Sequence, residues 1–95
     1  MGMTEDEFDN MKNAAVSDAG DAYDKALEDG VPKPEAASTA IEAAGKAMIE
    51  MGATSEMVDN MRDAANKGFS EAFEDDADAS PVYWIIMAID EIAPE

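Results

Sequence analysis

Ser80-Pro81-Val82-Tyr83-Trp84-Ile85-Ile86-Met87-Ala88-Ile89-Asp90-Glu91-Ile92-Ala93 is the stretch on which the fold turns, because it gathers most of the bulky apolar side chains in a chain of 95 residues. Ser80 can cap free backbone N–H groups, and Pro81 at a first helical position forfeits no hydrogen bond, so the pair starts a helix. Val82 to Ile89 then run without a charge. At a helical pitch Val82, Ile85, Ile86, Ile89 and Ala93 share one face, while Tyr83, Trp84 and Met87 point elsewhere. A helix apolar nearly all round is expected to lie centrally, buried on several sides. The competing reading makes Tyr83, Trp84 and Met87 an interface for a second copy or another partner.

Working outward, the other segments read as helices that need this stretch to complete a core. Thr4 with Glu7 three residues on is a capping box, and Phe8, Met11, Ala15, Ala19, Ala22, Tyr23 and Ala26 keep a 3-4 spacing to about Glu28. Asp29-Gly30-Val31-Pro32 breaks that helix. A second opens near Lys33-Pro34 and carries Ala37, Ile41, Ala44, Met48 and Met51 on one face before Gly52 stops it. Thr54 or Ser55 caps a third, whose buried face is Met57, Val58, Met61, Ala65, Phe69, Ala72 and Phe73, and Asp75-Asp76-Ala77-Asp78 frays its end. Nothing alternates with period two, so no strand is expected. The prediction is an all-α four-helix bundle in one domain, residues 1–95, with helices near 4–28, 34–51, 55–76 and 81–92. The Ala-rich second helix and the large fourth are complementary in volume, which predicts close packing of that pair around Trp84 or Ile86.

Residues 1–30 laid on residues 51–80 at a constant offset of 50 are identical at nine positions. Thr4 matches Thr54, Asp9-Asn10-Met11 matches Asp59-Asn60-Met61, Ala14-Ala15 matches Ala64-Ala65, and Ala22 matches Ala72. Met1-Gly2 against Met51-Gly52 completes the set. Either two Ala- and Asp-rich helices coincide in sequence, or a helical hairpin is duplicated, 4–50 against 54–93, which makes the bundle two repeated hairpins.

The charge is lopsided: 23 acidic against 6 basic residues, a formal net of −17. Residues 1–30 carry nine acids and two bases and residues 53–79 eight acids and two bases, whereas residues 31–52 net only −1 and residues 80–95 net −3. At about 100° per residue Asp18, Asp21, Asp24 and Glu28 fall in one outer sector of the first helix, and Asp63, Glu71, Glu74, Asp75 and Asp78 in one of the third. Neighbours on such a ridge lie about 5 to 6 Å apart, close to the spacing of phosphates along a strand, so the ridges suit a groove lined with Lys and Arg. An ordinary solvated face is the plainer account of the same residues.

Other classes have few resources. Cys and His are both absent, and no nucleophile elbow, P-loop or Glu-x-x-His pair occurs, so neither an enzyme nor a cofactor is expected. The strongest calcium-loop candidate, starting at Asp76, has Pro81 where Gly is required and Met87 at the bidentate position, so no specific metal site is expected. The apolar run is far short of a bilayer span and the surface repels nucleic acid and anionic membranes, which points to a cytoplasmic protein that binds neither directly.

In size, charge and helical content the chain resembles the acidic DNA-mimic proteins, a class that includes the anti-restriction and anti-CRISPR inhibitors of phages and mobile elements. The resemblance is one of composition, spans the whole chain in that sense and carries no residue role across. It implies an inhibitor that occupies the basic nucleic-acid-binding groove of another protein. Two alternatives stand beside it. One is a nuclease immunity protein, although the Tyr-Tyr-Pro signature of the acidic four-helix colicin-immunity family is missing. The other is a structural or scaffolding helical protein of a salt-adapted host, against which five Lys to one Arg weighs modestly.

Overall fold

Each helix starts and stops where the local chemistry demands. In the computed structural model, which describes residues 4–92, the helices are α1 (Glu5–Glu28), α2 (Lys33–Glu50), α3 (Ser55–Asp75) and α4 (Pro81–Glu91), with no strand among the described residues. Before α1 the capping box is complete: the Glu7 N–H donates to Thr4 Oγ1 at 3.1 Å and the Thr4 N–H to Glu7 Oε1 at 2.9 Å. Thr54 Oγ1 accepts from the Met57 N–H at 3.2 Å to start α3, and Ser80 Oγ from the Val82 N–H at 3.3 Å to start α4. The first two helices end alike. Gly30 (φ 86°) and Gly52 (φ 102°) turn the backbone left-handed, so the Val31 N–H reaches the Ala26 carbonyl at 3.0 Å and the Ala53 N–H the Met48 carbonyl at 2.9 Å.

The end of α3 differs from the fraying expected of its acidic tail. Asp76 closes a turn there: its Oδ1 accepts from the Asp78 N–H at 2.9 Å and its carbonyl from the Ala79 N–H at 3.0 Å. A short carboxylate that bonds its own backbone two residues on gives an alternative to helical continuation.

The four helices form an all-α four-helix bundle. α1 packs along α2 and α3 along α4; α2 also meets α3, α4 meets α1, and α2 and α4 touch across the core, whereas no α1 residue comes within 8 Å of α3, Cα to Cα. α1 and α3 therefore occupy opposite corners. The core cluster joins Ile41, Ile85, Ile89, Phe8, Val58 and the methionines Met11, Met48 and Met61 to alanines such as Ala15, Ala19, Ala40, Ala44 and Ala65. Small residues on α1, α2 and α3 leave room for the isoleucines of α4, and unbranched Met fills what is left.

Burial along α1 and α3 runs in step at the offset of 50. Residues 4–25 and 54–75 fall in the same burial class except at Glu7/Met57, Val16/Asn66, Asp18/Gly68 and Gly20/Ser70. The second helices are less alike, with 18 residues in α2 and 11 in α4. Met1, Gly2 and Ala93 lie outside the described residues.

Three expectations are corrected. α4 is not a central helix: Pro81, Ile85, Ala88 and Ile89 are buried, Val82 and Ile86 only partly, and Tyr83 and Met87 are exposed. With four helices at four corners, each keeps an outer side. Trp84 and Ile86 do not centre an α2–α4 contact: the Trp84 ring lies over Gly68 of α3, and Ile86 is only partly buried and outside the core cluster. Met51 is 42% exposed, since α2 ends at Glu50 and the turn at Gly52 carries the chain off the helical track; Ala53 is buried in its place.

The two helical glycines Gly20 and Gly68 should respond oppositely to alanine. A Cβ on Gly20 meets nothing within 4 Å, so Gly20→Ala is expected to stabilise by about 0.5–1 kcal/mol, the usual entropic gain. On Gly68 a Cβ would lie 2.4 and 2.8 Å from atoms of the Trp84 ring. The displaced ring costs about 1–3 kcal/mol, more than that gain, and Gly68→Ala should lower the melting temperature while Gly20→Ala raises it.

Candidate functional site

The helix stripe that buries Phe8, Met11, Ala15, Ala19 and Ala26 fixes what α1 shows to solvent: Asp18, Asp21, Asp24 and Glu28 are all exposed. On α3 the stripe Val58, Met61, Ala65 and Phe69 does the same for Asp63, Glu71, Glu74 and Asp75. Asp78 is exposed but is not part of the α3 ridge. It sits in the α3–α4 turn, 3.4 Å from Lys33 Nζ, which also donates to the Ala77 carbonyl at 3.0 Å. The turn closed by Asp76 ends the helix before Asp78 can join its face.

Few positive charges temper these ridges. Lys12 Nζ is 2.6 Å from Asp90 Oδ1, joining α1 to α4, and Arg62 is 3.4 Å from Glu42, joining α3 to α2. These exposed pairs and the one at Lys33 contribute little stability individually. Among the described residues none of the eight helical ridge carboxylates has such a cationic partner. Because α1 and α3 are diagonal, the ridges face away from each other, with near-neutral α2 on one side between them and α4 on the other.

The outer side of α4 is apolar. Tyr83 is 56% exposed and Met87 42%. Trp84 is half-buried against Gly68, and its ring meets that of Tyr83 edge to face, centroids 5.1 Å apart. Of the three residues Tyr83 and Met87 are the ones exposed to solvent.

Sequence reasoning missed a shallow groove between α2 and α3, about 240 Å³, lined among others by Glu42, Gly45, Lys46, Ile49 and Arg62. Gly45 was the available signal, since a helical glycine opposite Val58 lets two helices approach and leaves a furrow beside them. Its lining is of mixed charge, and no chemistry converges there. Among the described residues no cluster of three or more acids is placed to hold a metal, and no helix is long and apolar enough to cross a membrane. The chain matches no protein-family model, no curated protein and no solved structure.

The unpaired ridges make salt a test of their energetics. Like charges along α1 and α3 repel within each ridge, and screening over about 8–10 Å at physiological ionic strength relieves it. The melting temperature is expected to rise between low and physiological salt. Independence from salt up to about 1 M would contradict this, and a chain that stays unfolded until molar salt is reached would favour a salt-adapted host.

Proposed function

We propose that this protein is a polyanion mimic, which binds and blocks a basic nucleic-acid-binding surface of another protein. The observation that carries this reading is the placement of unpaired carboxylates on the two diagonal helices of an elongated body. Its principal extents are 41 × 24 × 18 Å. Residues 4–92 hold 22 acids and 6 bases, a net of −16, so the long axis carries one negative charge per roughly 2.6 Å, against about one per 1.7 Å for duplex DNA. A surface that is merely solubilising has no need to concentrate charge on two helices and leave α2 nearly neutral.

Binding in this reading is electrostatic in origin and needs no chemistry at the site. Docking of the ridges frees the counterions held in the partner's groove, so the complex should weaken steeply with salt, as a nucleic-acid complex does. The class of target is a nucleic-acid-binding protein of the kind used in defence against phages, a nuclease complex being the leading case. The test is charge reversal on the ridges against an equal number of reversals on α2. Selective loss of binding from the ridge set supports mimicry, and equal loss from both sets rejects it.

A further inference from the structure

We infer that the outer side of α4, centred on Tyr83 and Met87 beside the acidic ridge of α3, is the docking surface for a cationic protein segment that also carries apolar side chains. The inference rests on the mimicry reading for the sign of the partner, and adds that charge alone does not hold the complex. Tyr83 and Met87 stand one helical turn apart on α4, 56% and 42% exposed. Nothing in the bundle uses them. Behind them the Trp84 ring is fixed over Gly68 with no room for even a methyl group, and it holds Tyr83 edge to face at 5.1 Å. An exposed aromatic with a set orientation loses little freedom when it is covered, which makes it an effective anchor.

The surroundings choose the occupant. On the α3 side, Gly68 lies under the Trp84 ring, and the exposed Glu71 and Asp75 follow it three and seven residues on along the same stripe, so that ridge borders the apolar strip; on the α1 side Lys12 reaches Asp90 of α4 itself. An apolar centre with a charged rim is the anatomy of a protein interface. A second copy of the chain would bring net −17 against net −17 and is disfavoured by its own charge. Bare nucleic acid is repelled for the same reason. A segment with Lys or Arg alternating with apolar residues at helical spacing satisfies both the rim and the centre.

Trp84, the sole tryptophan, reports directly on this surface. The experiment titrates the intact protein with two probes of equal length and charge, a Lys/Ser peptide and an amphipathic Lys/Leu peptide with Lys at the same positions, and follows both affinity and Trp84 emission. The Lys/Leu peptide should bind at least about tenfold more tightly and shift the emission, and Tyr83→Ala with Met87→Ala should remove most of that advantage without changing helix content. Equal affinity for the two peptides, an unmoved Trp84 emission, or an undiminished advantage in the double variant would overturn the inference. If the peptides bind alike while ridge reversals still weaken both, the apolar anchor is wrong and the polyanion reading stands. If neither peptide responds to ridge reversal, the polyanion reading fails too. Concentration-dependent self-association through the same residues would replace the cationic partner with a second copy and likewise overturn the inference.

Discussion

Ile89→Ala is expected to cost about 2 to 5 kcal/mol and to leave much of the protein unfolded at physiological temperature. Ile89 is fully buried, and with Ile85 it supplies the branched bulk of α4 to the core. Half of the residues sharing that cluster on α1, α2 and α3 are alanines, whose short side chains cannot close over the space that a lost isoleucine leaves. A 95-residue helical protein with net −17 has little stability in reserve, so a loss of this size consumes a large part of it. Trp84→Ala should cost less despite its larger side chain, because Trp84 is only half-buried. Urea denaturation of the two variants checks the order. A Trp84→Ala variant less stable than Ile89→Ala would mean that the α3–α4 contact, and not the shared cluster, holds α4 in place.

Reversing Asp21, Glu71 and Glu74 to Lys is expected to have the largest effect on function, a loss of a partner's affinity by at least about a hundredfold at low salt. These carboxylates are exposed and lie outside the ion pairs of the bundle, so their reversal removes like-charge repulsion from the fold while it puts positive charge against a positive groove. The matched set Glu35, Glu42 and Glu50 changes net charge equally but sits on α2, on neither ridge. Among the described residues only Glu42 of these has a cationic partner, Arg62 at 3.4 Å, in an exposed pair whose loss costs little. Circular dichroism should find helix content unchanged in both variants. The difference between the sets therefore isolates the arrangement of the charge from its total.

The helices, their caps and most of the buried stripes were legible because each rests on local signals. Thr4 with Glu7, Ser80 with Pro81, and the 3-4 spacing of Phe8, Met11 and Ala15 depend on residues within one or two turns. The outer sectors of α1 and α3 followed from the same periodicity. What the pattern could not supply was the order of corners around the bundle, so the diagonal placement of the ridges and the seat of Trp84 on Gly68 came only with the structure. Met51 and Asp78 were misplaced for one reason: helical angles were carried past a terminus, where the Gly52 turn and the turn closed by Asp76 had already redirected the chain. α4 was read as central because eight uncharged residues in a row, Val82 to Ile89, hide which of them face outward.

The most direct measurement of the central claim is competition on a partner captured by the wild-type protein and not by the ridge-reversed variant. Labelled nucleic acid bound to that partner is titrated with wild-type protein, ridge-reversed protein and α2-reversed protein across a series of salt concentrations. Mimicry predicts that the wild-type and α2-reversed proteins displace the nucleic acid, that the ridge-reversed protein does not, and that displacement and nucleic-acid binding weaken together as salt rises. A partner that holds this protein and its nucleic acid at the same time, each with undiminished affinity, would contradict it.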